Sequence, residues 1–467
     1  MLTDDQRHAA ERQAGPEAGA AEALALAEDV LGRALRVGAT EAEVLVTSDD
    51  SALTRFANSE IHQNVAESSR TVNLRFVAGK RIAVMSSGRT DVEGIRSLVN
   101  RASAVVRTCE ELEDWAGLPG PAAGDRLVDE IGAWVAATAE ASPEFRADAV
   151  RAVIAAADAA IVNAYGSFTT SAESIAVANS AGIRVAQGRT SAQLLTVHMS
   201  PDGGNGYAEA VAMDASTIDG AALGREAAAK ARASDNAVSL PPGDYPVVLE
   251  EYAVVDITDY LGYLGFSALA VQEGRSFFEP GRKVGSDLVS VVDDGGDPAG
   301  LPMAFDYEGV RKRRVPLLEA GICRSVVYDS QTAARAGTTS TGHGLPAPNP
   351  YGPFPLNSVM AAGTTPRDEL VGGMDRGLLV TRFHYTNTVH PKLAIITGMT
   401  RDGTFLVEGG RVVGPVRNLR FTQSYLAAIA GVSAVSSSRK TLRGFLGSAV
   451  VPALRIDAWT FTGATEH

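Results

Sequence analysis

The apolar positions near the start of the chain recur at helical spacing. Between residues 20 and 37 they are Leu24, Leu26, Ala27, Val30, Leu31, Ala34 and Leu35. Such a stripe predicts an amphipathic helix, and Gly38 suits the left-handed conformation that often follows a helix end. The β-branched and apolar runs that follow predict strands at residues 43–48, 52–58, 71–77 and 81–86.

The middle of the chain repeats this mixture of helix and strand after a stretch rich in proline and glycine at residues 115–125. Ser142 and Pro143 predict a helix start, since proline at the first helical position loses no hydrogen bond. Ser216 to Asp219 predicts a capping box for a helix that runs through Ala233. Between these helices, the predicted strands cover residues 159–167, 169–179, 184–191 and 193–199.

The last part of the chain combines one apolar helix with many strands. Residues 252–271 are apolar on nearly every face apart from Asp256 and Asp259, as in a helix buried within a large core. Residues 378–421 predict a β-meander. Asp402-Gly403 and Gly409-Gly410 lie there between short apolar runs, where tight hairpin turns need glycine.

These patterns predict an α+β protein with N-terminal α/β domains of curved antiparallel sheets and helices, followed by a β-rich C-terminal domain with a buried helix. With 467 residues the chain is longer than one hydrophobic core usually supports. The predicted boundaries give a disordered tail and three domains, at residues 1–17, 18–112, 113–240 and 241–467.

Net charge and cysteine content limit the kinds of partner and the cellular compartment that can be expected for the chain. A net charge of −13 repels phosphate backbones, so direct nucleic-acid binding is disfavoured. Cys109 and Cys323 alone give no disulfide framework, which favours a reducing cytoplasm. The first residues are polar and lack the apolar core of a signal peptide. Because the longest apolar stretch, residues 261–271, is too short to cross a bilayer, no membrane span is expected.

Two segments resemble one known family. Residues 55–63, reading RFANSEIHQ, with the strand at 71–77 and the following Gly79-Lys80-Arg81, are similar to the first domain of the TldD/PmbA family. The meander at 378–421, with the apolar helix before it, resembles that family's C-terminal domain. The resemblance covers nearly the whole chain, and it is strongest to the TldE/PmbA type.

The resemblance also shows which chemistry is missing. In catalytic TldD-type members the apolar helix carries an HExxxH motif, which places two zinc-binding imidazoles and a glutamate together, and a cysteine near the C-terminus completes the site. The corresponding positions here fall near Asp259, Tyr260 and Leu264. The helix at 252–271 contains no histidine, and no cysteine follows Cys323.

The resemblance therefore implies a non-catalytic TldE/PmbA-like subunit with no catalytic residues and no cofactor of its own. Zinc is expected in a TldD-like catalytic subunit, with which this chain would form a heterodimer, and a homodimer is also possible. Unfolded peptides or leader peptides are the implied substrates.

Other residues leave alternatives open. His384 and His390, six apart, are weak candidates for metal ligands. The Gly/Pro-rich segment at 336–363 is long for an unstructured loop, and we expect substrate or subunit contacts there. The candidates are His343, Gly344, Tyr351 and Phe354. One alternative function is a stand-alone hydrolase or biosynthetic enzyme with a rebuilt site around these histidines or Asp259, and another is a homodimeric peptide-binding protein without proteolytic activity.

Overall fold

The computed structural model describes residues 16–121 and 132–464. The predicted tail at 1–17 lies almost wholly outside these residues. Single 3₁₀ turns occur at Val106–Thr108, Ala215–Thr217 and Pro391–Leu393. The α-helices are α1 Pro16–Arg36, α2 Val92–Val105, α3 Ala136–Ala139, α4 Pro143–Ala159, α5 Gly220–Ala233, α6 Glu251–Leu264, α7 Ala268–Gln272, α8 Ser330–Arg335, α9 Glu369–Gly372 and α10 Tyr425–Ala430.

The N-terminal half is built around one antiparallel sheet with the strand order β3-β2-β1-β4-β5-β6. Consecutive strands are joined by hairpins on each side of the β1–β4 pair. The strands are β1 Glu41–Ala57, β2 Glu60–Ala78, β3 Arg81–Ser87, β4 Asn163–Asn179, β5 Arg184–Met199 and β6 Asn205–Ala212.

This sheet is longer and more continuous than the sequence pattern predicts. The two strands predicted at 43–48 and 52–58 are one strand, because the polar residues between them pair on both sides: Asp50 opposes Ser68 of β2 and Ala172 of β4. The pairing of β1 with β4 runs from Glu43 opposite Asn179 to Phe56 opposite Gly166. The sheet is therefore continuous across the predicted boundary at residues 112 and 113, and that division stays a prediction.

Alternate residues of the sheet face two different layers. Even-numbered residues such as Val44 and Val46 pack under helices α1 and α2, and Phe168 packs with α4 and α5. Odd-numbered residues such as Leu45 and Val177 pack against the C-terminal half. Asp91 and Asp219 cap α2 and α5, accepting from Gly94 N and Ala222 N, so the predicted box starting at Ser216 forms a separate 3₁₀ turn instead.

The C-terminal half forms a second, mixed sheet. Strands β17, β15, β13, β12 and β7 are hydrogen-bonded in that order, and β7 also pairs with β17, which closes a ring. The pairs β7–β12 and β11–β17 are parallel. The strands are β7 Gly243–Leu249, β8 Val291–Asp293, β9 Val315–Glu319, β10 Ile322–Cys323, β11 Asn357–Met360, β12 Arg376–His390, β13 Ile395–Glu408, β14 Arg411–Pro415, β15 Leu419–Ser424, β16 Val432–Arg443 and β17 Ser448–Ala464.

The α+β architecture predicted from the sequence, with a buried helix in the C-terminal half, is confirmed. Two further local predictions were wrong. The helix predicted at 252–271 is interrupted after Leu264, where Gly265 lies against the Phe277 ring so closely that a Cβ would be 2.0 Å from Cζ. The turn predicted at Asp402-Gly403 is a bulge inside β13, with both residues at positive φ.

The glycines at 409 and 410 form the predicted hairpin turn between β13 and β14. Among the described residues, no helix is both long and apolar enough to cross a membrane.

Candidate functional site

Helix α6 lines a cleft of about 220 Å³ between the two halves of the chain. Tyr252, Val255, Asp256 and Asp259 face it, at the spacing that places residues on one side of a helix. The opposite wall comes from strands β6 and β12 and from the turn after β16. Its lining residues include Tyr207, Glu209, Arg382, Phe383, Arg443, Gly444 and Phe445.

The two aspartates of α6 are buried carboxyls with internal donors. Asp256 accepts hydrogen bonds from Thr386 Oγ1 at 2.8 Å and from Tyr425 OH at 2.5 Å. Asp259 accepts from the backbone N of Phe445 at 2.7 Å. Burial raises the pKa of Asp256 to about 6 and that of Asp259 to about 7, against these hydrogen bonds.

An ion-pair network fixes the N-terminal end of α6. Lys230 lies 2.8 Å from Glu226 and 2.6 Å from Glu250, and Lys440 lies 3.1 Å from Glu226. Although burial opposes ionisation, the two lysines lower the pKa of Glu226 to about 2. The network joins α5, α6 and β16, so it holds the two halves of the chain together beside the cleft.

Tyr252 connects this network to the edge of the N-terminal sheet. Its hydroxyl lies 2.6 Å from Lys440 Nζ and accepts a hydrogen bond from the backbone N of Glu209 at 3.2 Å. Glu209 belongs to β6, the last strand of the sheet. The backbone N–H of Glu209, on this edge strand, is therefore already hydrogen-bonded within the chain.

The residues of the cleft do not fit a catalytic zinc site. Of the three positions expected to correspond to the family motif, Asp259 faces the cleft, Tyr260 packs edge-on against Phe445, and Leu264 lies in the core. Neither imidazole nor thiolate lines the cleft. Within residues 16–121 and 132–464, no three His, Cys, Asp or Glu side chains are placed to hold a metal ion together.

His384 and His390 lie on β12, which is irregular between them. Tyr385 has a φ of 51°, and the pairing register with β13 shifts twice before His390. His384 contacts the Tyr385 ring, while His390 is exposed and its Nδ1 accepts from Leu393 N at 3.2 Å. Burial and nearby arginines lower the pKa of His384. The structure does not place these histidines in a cluster of metal ligands among the described residues.

His343 is part of a fully buried charged group. Its Nε2 lies 2.7 Å from Asp293 Oδ1, and Lys312 Nζ lies 3.1 Å from the same oxygen. Although burial opposes ionisation, Lys312 and His343 keep the pKa of Asp293 well below its usual range. A carboxylate only accepts hydrogen bonds, so Nε2 donates. The geometry indicates a packing role for the His343 side chain in this conformation.

The other three residues expected to contact a substrate or partner differ in exposure. The Gly344 backbone N donates to buried Asp306 at 2.6 Å, and the Phe354 side chain is buried. Tyr351 is 56% exposed and packs edge-on against Tyr263. None of the four lines the cleft at α6. Contact with a substrate or partner stays a prediction, and Tyr351 is the side chain best exposed for it.

Glu209, Arg382 and Arg443 come to the cleft from three separate strands and were not predicted from the sequence. Strand β6 was not predicted at all, because its Asn-Gly-Tyr-Ala-Glu-Ala-Val-Ala run has small residues in place of bulky apolar ones. Those small residues are required, since a Cβ on Gly206 would lie 2.1 Å from a carbonyl of α5. The one local signal was the spacing of Asp256 and Asp259.

A larger groove, of about 440 Å³, lies between the turn at residues 202–205 and the bulge at 402–404. Its buried carboxylate, Asp402, is paired with Arg382 at 2.6 Å, and no histidine or cysteine lines it. The cleft at α6 is the better candidate because it brings together carboxyls of perturbed pKa and a half-buried arginine.

The sequence of the chain matches two domain models of one protein family. The model for the PmbA/TldA metallopeptidase C-terminal domain matches residues 242–463, and the model for domain 1 of the same family matches residues 42–106. The chain belongs to the PmbA/TldD metallopeptidase family.

Several similar proteins are named as metalloproteases. The chain is similar to a metalloprotease TldD homolog of Buchnera aphidicola from Acyrthosiphon pisum, with 26% identity over 211 residues, 43% of this chain and 42% of that protein. It is also similar to a metalloprotease of Methanothermobacter thermautotrophicus, with 26% identity over 48% of this chain and 50% of that protein. The matched part thus spans about half the length of these relatives or less.

Solved structures share the fold over a greater length. TldE from Thermococcus kodakarensis superposes with a TM-score of 0.85 at 21% identity, covering 94% of this chain and all of that chain. A putative modulator of a DNA gyrase from Thermotoga maritima superposes with a TM-score of 0.82 at 18% identity, covering 94% of this chain and 99% of that one. At these identities the likeness establishes the fold alone.

Proposed function

We propose that this chain is a non-catalytic, TldE-like subunit of a zinc metallopeptidase complex, in which a TldD-like subunit holds the metal. The observation that carries the proposal is the face that α6 turns to the cleft. It presents Tyr252, Asp256 and Asp259, where a zinc site on this helix would need imidazoles. The fold shared with TldE of Thermococcus kodakarensis is consistent with this assignment.

In such a complex this chain forms part of the wall of a peptide chamber. Unfolded or leader peptides are the proposed substrates, the two subunits form a heterodimer, and the complex works in the cytoplasm. The ion pairs of Lys230 and Lys440 support a fixed wall, because partly buried, hydrogen-bonded pairs hold one geometry. The cleavage step itself belongs to the partner.

The test is to express the chain alone and together with a TldD-like chain, and to measure complex formation by native mass spectrometry and cleavage of an unfolded protein. We expect a heterodimer, and cleavage only by the complex. The matched controls are the complex with the partner's motif glutamate changed to glutamine, which should be inactive, and the complex with Asp256→Asn and Asp259→Asn in this chain, which should keep cleaving.

A second candidate rests on the same two aspartates. Buried carboxyls with raised pKa values can act as general acids or bases, so a hydrolase with a site rebuilt on α6 is the alternative. It predicts cleavage by the chain alone, abolished by Asp259→Asn. That result, or a homodimer that recruits no TldD-like chain, would contradict the subunit proposal.

A further inference from the structure

Arg443 is the arginine of the cleft that has fewer partners than Arg382 among the described residues. It ends β16, and its Nη2 donates a hydrogen bond to Ser191 Oγ at 2.7 Å. It forms no ion pair with any described residue, and burial lowers its pKa against the effect of the nearby carboxylates of Glu173, Glu209 and Asp49. A guanidinium has five N–H donors, and one of them is hydrogen-bonded to a described residue.

Apart from Asp259, the other charged groups of the cleft have partners within the chain. Arg382 pairs with Asp402 and lies over the Tyr207 ring at 4.3 Å. Glu209 accepts from Gln193 at 2.7 Å and from the Tyr207 hydroxyl at 2.8 Å. Both oxygens of Asp256 have donors of their own. A ligand therefore meets one half-buried cation with free donors.

We propose that Arg443 binds a carboxylate group of a peptide segment that enters the cleft, an inference that rests on the proposed peptide-handling function. The planar fork of the guanidinium matches a carboxylate with two parallel hydrogen bonds, and partial burial strengthens them. The carboxylate is either the peptide's C-terminus or the side chain of an aspartate or glutamate.

The surroundings of Arg443 suit such a ligand. Phe445 and Leu446, in the turn that follows, are 50% and 53% exposed and offer an apolar surface to a neighbouring side chain of the peptide. The volume of about 220 Å³ accommodates a residue or two, not a folded domain. The backbone N of Phe445 is held by Asp259, which fixes the turn beside the guanidinium.

The test measures the binding of three N-terminally labelled hexa-alanine peptides by fluorescence anisotropy, on the chain alone and on its complex. The first ends in a free carboxylate, the second in an amide, and the third in an amide with one internal aspartate. We expect the free acid to bind about tenfold tighter than the amide, the usual effect of one charged hydrogen-bonded contact. Tight binding of the third peptide would identify a side-chain carboxylate as the ligand, and weak binding would identify the C-terminus.

Arg443→Gln should abolish this preference, and Arg443→Lys should retain part of it because the charge remains without the fork. Arg455→Gln is the matched control: Arg455 is also half-buried and bonded to a serine, at 3.2 Å from Ser433, but it does not line the cleft. Urea midpoints show whether each variant is folded.

The outcomes separate this inference from the proposed function. Equal binding of all three peptides would overturn the role of Arg443 while leaving peptide handling intact, and so would a carboxylate preference that survives Arg443→Gln. Absence of binding for all three peptides, in the chain and in the complex, would overturn both.

Discussion

Replacing Asp259 by asparagine tests whether burial of its ionised carboxylate on α6 lowers the stability of the folded chain. Burial raises its pKa from 3.8 to about 7, so between these pH values the folded state holds a proton that the unfolded state has lost. Stability therefore falls as pH rises through this window. At 1.36 kcal/mol per tenfold change, the rise corresponds to an upper limit of roughly 4 kcal/mol.

Asparagine keeps the shape and the acceptor for Phe445 N but carries no charge at any pH. We expect the stability difference between Asp259→Asn and the parent chain to be smallest near pH 4.5, the acid end of the range, where the folded parent keeps its proton. At pH 8 the variant should be more stable by about 2 to 4 kcal/mol.

The assay is urea unfolding at half-unit steps from pH 4.5 to pH 8, followed by tryptophan fluorescence, to which the buried Trp459 near α6 contributes. Asp375→Asn is the control, since Asp375 is an exposed loop residue. The reasoning is refuted if the stability difference between Asp259→Asn and the parent stays constant across this range, or if it decreases toward pH 8.

Three further changes test other contacts by urea unfolding. Lys312→Met leaves Asp293 as a buried charge without its lysine and should cost about 3 to 5 kcal/mol, less if Asp293→Asn is added. Gly444→Ala puts a Cβ 2.6 Å from a carboxylate oxygen of Asp259 and should lower the free energy of unfolding by about 1 to 3 kcal/mol. The control is Gly414→Ala, which has open space around it and should lower the free energy of unfolding by less than about 1 kcal/mol. Glu226→Gln should cost about 1 to 3 kcal/mol at pH 7, and the difference should shrink as pH falls from 4.5 toward 2, because acid neutralises the parent carboxylate. A difference for Glu226→Gln that persists at pH 2 would contradict the ion-pair explanation.

The fold class could be predicted from the sequence because local patterns carry it. The stripe from Leu24 to Leu35 gives α1, and the apolar run after Tyr252 gives the buried helix. What the pattern could not give was the length of β1, because its polar middle at Ser48 to Ser51 is set by pairing with two distant strands. Its pairing with β4 depends on residues more than one hundred positions away.

The candidate site was predictable only where one element carries it. Asp256 and Asp259 stand out because they are the charged residues of an otherwise apolar stretch. Glu209 and Arg443 carry no local signal, since each is an ordinary polar residue on a strand, and only the fold brings them together. At His343 the flanking glycines allow tight packing, with Gly344 against Glu308, and contact with a ligand there stays a prediction.

The most direct test of the central claim is the zinc content of this chain purified alone, measured by plasma mass spectrometry after dialysis against a zinc buffer. The account predicts well under 0.1 zinc per chain, and about one zinc per heterodimer once a TldD-like subunit is bound. About one zinc per isolated chain, together with cleavage of an unfolded substrate, would contradict it.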